Sequence, residues 1–136
     1  MVSKIFVNLP VKNLARSMEF FTAVGFSFNP QFTNETSTCM VMTDSIFAML
    51  LEEGRFAEAA QKPVSDATQS AELIIALSTD SRPMVDEIVQ KAVAAGGKAS
   101  NNKQDHGFMY IHGFQDPDGH LWEIVWMDMQ AFLSNK

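Results

Sequence analysis

One carboxylate stands out. Glu123 lies in Leu121-Trp122-Glu123-Ile124-Val125-Trp126, a charged side chain within an otherwise apolar strand-like run. Buried alone it would be costly, so it either faces a ligand or pairs with a nearby Lys or Arg. Facing a ligand, it would orient a substrate, accept a hydrogen bond or serve as a general base. The three histidines, His106, His112 and His120, all fall in the second half of the chain. Strand alternation puts His112 with Phe108, Tyr110 and Phe114, and puts His120 on the face opposite Leu121, Glu123 and Val125. Two histidines are therefore not brought to Glu123, and His120 reads as a local hydrogen-bonding residue after a turn. Tyr110 and His112 are amphipathic enough to touch a ligand, although ordinary packing accounts for them as well. Asn8 alternates onto one face with Phe6 and Lys4, where it would anchor a ligand or bond along a sheet edge. Cys39 has no neighbouring His in sequence and reads as a small buried apolar residue, with no partner for an internal disulfide.

No Gly-rich phosphate loop, G-x-S-x-G, C-x-x-C or H-E-x-x-H is present. Eleven Phe, nine Met and two Trp could line an adaptable pocket or simply fill a core. The 136 residues, 46% of them hydrophobic and 19% charged, suit one ordinary globular domain and exclude disorder or a collagen-like chain. Ten basic residues against sixteen acidic ones give a net charge of −6. The basic residues are scattered, so no nucleic-acid surface is expected. Apolar runs such as IFAMLL and ELIIAL fall far short of the ~18 residues of a membrane span. The start, Met1-Val2-Ser3-Lys4, shows no charged-then-apolar leader, and with the lone cysteine this points to a reducing, cytoplasmic setting.

The elements that must position these residues follow a repeated order. Residues 4–9 read as a strand ended by Pro10. Asn13 stands at an N-cap, and Leu14, Met18, Phe21 and Val24 form a helical stripe closed by Gly25. Strand-like stretches follow at about 26–32, 37–43 and 46–52, with Asn29-Pro30 and Asp44-Ser45 as turn signals. Arg55–Ala60 suggests a short helix. After Pro63 and a polar run the order restarts: a strand at 72–78, then a helix capped by Ser81 with Pro83 in its first turn. That helix carries Val85, Ile88, Val89, Ala92 and Val93 on its apolar face and ends at Gly96-Gly97. Strands at about 98–103, 108–115 and 120–127 complete it, the last two joined by the tight turn Asp116-Pro117-Asp118-Gly119. Residues 6–13 and 74–81 superpose at one constant offset, Leu9 falling on Leu77. The expected organisation is module one at about 1–54, a connector at about 55–70, module two at about 71–128 and a tail at 129–136.

Three stretches carry a family resemblance: Val7–Phe26, Ala76–Asp80 with the Gly-Gly beyond it, and Phe114–Ile124. They resemble the vicinal oxygen chelate superfamily, which includes glyoxalase I, bleomycin- and fosfomycin-resistance proteins and extradiol dioxygenases. The resemblance implies a single α+β domain of two tandem β-α-β-β-β modules, forming a curled mixed-sheet cup with helices outside. It also implies a homodimer. In metal-dependent members a divalent ion is held by side chains from the first and last strand of each module, with open positions for two substrate oxygens. Those positions fall here on Phe6, on Leu50 (Met49 if the alignment is one residue off), on Ile74 and on Glu123. Only Glu123 keeps a carboxylate. The expectation is a cup binding a small organic molecule through Phe6, Asn8, Leu50, Ile74, Tyr110, His112 and Glu123, with no cofactor or metal. The alternative is a divalent-metal-dependent lyase, isomerase or dioxygenase that uses Glu123 as its catalytic residue. A scaffold without any small-molecule role is the third option.

Overall fold

The computed structural model describes residues 1–134. Its elements run β1 (Ile5–Val11), α1 (Leu14–Val24), β2 (Ser27–Asn29), β3 (Ser37–Val41), β4 (Ile46–Glu52), α2 (Glu53–Ala60), β5 (Ile74–Ser78), α3 (Arg82–Ala94), β6 (Lys98–Ala99), β7 (Gln104–Asp105), β8 (Met109–Gln115), β9 (Leu121–Met127) and α4 (Met129–Ser134). The fold is α+β, with two mixed sheets of order β1-β4-β3-β2 and β5-β9-β8-β6, β7 also pairing with β8. Two compact units result, Met1–Asp66 and the chain from Ala67 onward. Among the described residues no helix is long and apolar enough to cross a membrane. The expected tail begins with α4, and its last two positions lie outside the described residues.

In the first unit, Asn13 caps α1 by accepting a hydrogen bond from Arg16 N at 2.9 Å. Gly25 closes the helix at φ 121°, a conformation a side chain resists, and its N–H donates to the Phe21 and Thr22 carbonyls. Leu14, Ser17, Phe20, Phe21 and Val24 are buried. They share the core with Leu9, Val11, Thr38, Met40, Ala48 and Leu50 from one face of the sheet. Met18, expected in the helical stripe, is only half-buried, and Phe20 is the fuller member. β1 does not stop at Pro10 but continues to Val11, paired in parallel with β4 along its length. Pro10 is tolerated there because β1 is an edge strand. The strand expected at 26–32 is shorter, since Pro30–Phe32 form a single 3-10 turn with Asn29 Oδ1 accepting from Gln31 N at 2.9 Å.

In the second unit, Ser81 Oγ accepts from Met84 N at 3.3 Å and Pro83 sits in the first turn of α3. Val85, Val89 and Ala92 are buried, and α3 packs on β8 and β9, where Tyr110, Phe114, Trp122 and Ile124 are buried. Val93, expected on that apolar face, is exposed. The strand expected at 98–103 is two short pieces, β6 and β7, both antiparallel to β8. Between them Ser100 Oγ accepts from Asn102 N at 3.0 Å and turns the chain. The β8–β9 turn is built on Asp116. Its Oδ1 accepts from Asp118 N (2.9 Å) and His120 N (3.0 Å), and its Oδ2 from Trp122 Nε1 (3.0 Å). Gly119, at φ 90°, completes the turn where a Cβ would lie 2.9 Å from the Ala67 carbonyl oxygen.

Candidate functional site

Strand register decides which side chains share a face. In the first unit Phe6 pairs with Phe47, Asn8 with Met49 and Leu9 with Leu50. Leu9 and Leu50 belong to the buried, core-facing side. Phe6, Asn8, Phe47 and Met49 therefore share the other side, which stays partly open: Phe6 is 50% exposed, and Phe47 and Met49 are half-buried. Leu50, named from the sequence as a ligand contact, is completely buried on the core side; the position one residue earlier, Met49, is the one beside Asn8. A one-residue difference in alignment exchanges the two faces. The Phe6 and Phe47 rings stack with centroids 4.7 Å apart and planes 10° from parallel. Lys4 Nζ lies 5.7 Å from the Phe47 centroid. Asn8 Nδ2 donates to the Phe6 carbonyl at 3.2 Å, a bond along the strand.

Cys39, opposite Met49 on β3, is buried, and burial raises its thiol pKa above the ordinary value.

In the second unit Glu123 pairs with Ala76 on β5 and Gly113 on β8, while Ile74 pairs with Leu121. Ile74, Ala76, Gly113, Leu121, Glu123 and Val125 thus form one face. Glu123 is half-buried, and its carboxylate makes no hydrogen bond or ion pair among the described residues. Across from it, Gly113 lies where β8 and β9 approach too closely for a side chain. A Cβ there would stand 2.5 Å from the Trp122 carbonyl oxygen and 3.5 Å from Glu123 Cγ.

Tyr110 and His112 lie on the opposite face of this sheet, paired with Trp126 and Ile124. Tyr110 is buried, and its hydroxyl donates to Asp86 Oδ1 on α3 at 2.5 Å. Arg82 covers the Tyr110 ring at 4.7 Å and the Trp126 ring at 5.4 Å, and Lys103 Nζ approaches Tyr110 at 5.4 Å. The Tyr110 hydroxyl, and after it the Asp86 carboxylate, holds the Lys103 pKa above its ordinary value. Arg82 also pairs with Asp105 and donates to the Gly107 carbonyl at 3.2 Å. The Gly107 N–H, followed by Arg82, holds the Asp105 carboxyl below its ordinary value. This network fastens the β7 segment to α3 and engages Tyr110 in structure. His106 bonds to Gln104 at 3.1 Å, and His120 takes part in the turn through its backbone N–H.

The sequence reading overlooked Phe47, Gly113 and Arg82. Phe47 was within reach, two residues before Met49 on the same strand. Gly113 and Arg82 act through long-range pairing that no local pattern announces.

The residues that the resemblance assigns to the metal-ligand positions do not suit a divalent ion: two hydrocarbon side chains, Phe6 and Ile74, a thioether or a leucine, and one carboxylate. Among the described residues no three His, Cys, Asp or Glu side chains converge. Chemically, the second face offers the Glu123 carboxylate beside Ala76, Leu121 and Val125, with Ser78, Gln104, Gln115 and Lys98 at register positions on the same side, and the first offers stacked rings beside one ammonium.

The family model described as Glyoxalase/Bleomycin resistance protein/Dioxygenase superfamily matches residues 5–124. Among solved structures, the hypothetical protein SA1046 from S. aureus is similar at TM-score 0.78 and 25% identity, over 93% of this chain and 94% of that one. A glyoxalase/bleomycin resistance protein/dioxygenase family enzyme from Burkholderia phytofirmans PsJN gives TM-score 0.76 at 17% identity, over 90% and 96%. The fosfomycin resistance protein FosX from Listeria monocytogenes gives 0.68 at 18%, over 96% and 98%. No curated protein matches the sequence.

Proposed function

The chain belongs to the glyoxalase/bleomycin resistance protein/dioxygenase superfamily, and we propose that it binds a small organic molecule on its open sheet faces without the metal ion that many members use. One observation carries this reading: Phe6, Ile74 and either Met49 or Leu50 stand where a metal would need charged or imidazole donors. Each face recognises its ligand by apolar contact and shape, with Asn8 as a polar anchor on the first unit's face and Glu123 on the second unit's. The reading includes a homodimer, as is common in the superfamily, and a cytoplasmic setting.

The test is a thermal-unfolding screen of the full chain against a library of small organic molecules. A ligand that binds only the native state at a hundred times its Kd stabilises by about 2.7 kcal/mol. Stabilisation by a defined ligand that persists after chelator treatment is the expected result. A screen in which only divalent metals stabilise the protein would overturn it. Light scattering that gives the mass of a single chain would remove the dimer.

A second reading rests on the unpartnered carboxylate. In this reading Glu123, half-buried beside Ala76, Leu121 and Val125, takes a proton from a bound substrate and acts as the catalytic residue of a glyoxalase-like lyase or isomerase, or of a dioxygenase. Glu123→Gln would then abolish turnover while the unfolding transition stays in place. Equal turnover by the two proteins would end this reading.

A further inference from the structure

The geometry points to a more specific ligand for the first sheet: a flat aromatic ring bearing an anionic group, with an aryl carboxylate as its simplest form. This rests on the reading of that face as ligand-binding and adds the chemical class.

The Phe6 and Phe47 rings are stacked nearly parallel, and Phe6 remains 50% exposed. A stacked ring that is still half open presents π surface to a third ring. Such contacts favour a planar aromatic partner beyond simple area burial. Met49, half-buried next to Asn8, adds a soft, polarisable wall that adapts to ring outlines.

The charge of the ligand follows from Lys4. Lys4 stands just before β1, and its ammonium lies 5.7 Å from the centroid of Phe47, which shares this face with Phe6 and Asn8. The other side chains that register assigns to this face, on β1 to β4, are uncharged. An exposed cation–π contact is weak, so a ligand carboxylate can draw Lys4 to itself at little cost. An ammonium-bearing ligand would meet like charge instead.

Calorimetry on the full chain with three probes of one shape tests this: naphthoate, its neutral amide and naphthylmethylammonium. Naphthoate is expected to bind most tightly and the cation most weakly. Phe6→Ala should weaken naphthoate about tenfold, and Phe6→Tyr, which keeps the ring, should restore it. Lys4→Gln should bring naphthoate down to the affinity of the amide. Phe6 is half-exposed, and an unchanged circular dichroism spectrum would show that the variants fold. Wild-type affinity for naphthoate in Phe6→Ala, or cation binding as tight as anion binding, overturns the inference. If naphthoate does not bind while the thermal screen finds a non-aromatic ligand, the inference falls and the broader reading stands. A screen with no stabilising ligand of any kind removes both.

Discussion

The two units use one strand order and tie their last hairpins down with different chemistry. Between β3 and β4 the turn rests on an exposed hydroxyl: Thr43 Oγ1 accepts from Ser45 N at 3.2 Å and Ile46 N at 3.1 Å. The corresponding turn between β8 and β9 rests on Asp116, only 5% exposed, with three N–H donors on its carboxylate. The open faces differ in a parallel way. Opposite the middle of the last strand, the first unit places buried Cys39 against Met49, and the second places Gly113 against Glu123. An exposed acceptor can be replaced by water, whereas a buried one cannot.

The widest gap should appear at the turns. Asp116→Ala leaves two backbone N–H groups and the Trp122 indole N–H without an acceptor. It is expected to cost about 3 kcal/mol, against about 0.5 kcal/mol or less for Thr43→Ala, where water substitutes. Urea titrations of the two variants measure both. Equal losses would show that burial is not what separates the turns.

Next comes the position across from the last strand. Gly113→Ala puts a Cβ against backbone rather than a yielding side chain, so about 2 kcal/mol should be lost. Cys39→Ala removes one sulfur from a filled site and should cost about 1 kcal/mol. A neutral Gly113→Ala would mean that β8 and β9 can move apart there.

Acid sharpens the contrast further. Burial raises the Asp116 carboxyl above its ordinary value of 3.8, against the opposing pull of His120 and of the indole N–H. The native state therefore keeps a proton that the unfolded chain has lost. Stability from this group is full below 3.8 and is lost as pH rises through the higher folded value. Asp105 is shifted the other way, so its contribution is present above 3.8 and disappears as pH falls through its lower folded value. The stability gap between wild type and Asp116→Asn should narrow as pH rises across the acid range, and the gap to Asp105→Asn should widen slightly. Parallel curves would contradict both assignments.

The smallest effect is kinetic. Buried Cys39, with its thiol pKa raised, should react with alkylating reagents far more slowly in the native protein than in urea. A native rate matching the unfolded one would mean that this face opens readily.

What could be read from the sequence was local. Asn13, Gly25, Ser81, Pro83 and the Asp116–Gly119 turn announce themselves because a cap or a turn is settled by a few adjacent residues. Alternation also grouped Phe6 with Asn8, and Tyr110 with His112. It could not say that the Tyr110 group faces α3 while Glu123 faces away, because that depends on pairing with β9 and on a helix more than twenty residues distant. The choice between Leu50 and Met49 had the same origin: it required the register against β1. Family resemblance supplied the fold and the meaning of the four ligand positions, and the side chains at those positions argued against the usual metal.

Pro10 has a consequence for self-association. Among the described residues β1 stands at the end of its sheet's strand order, next to β4. An uninterrupted outer strand is a template on which further strands can polymerise. A proline contributes no N–H, so any incoming strand loses a rung at residue 10 and can zip only along the stretch before it. Copies of this chain can still meet side chain to side chain, but growth into fibrils from this edge is blunted by a residue that costs the folded monomer little.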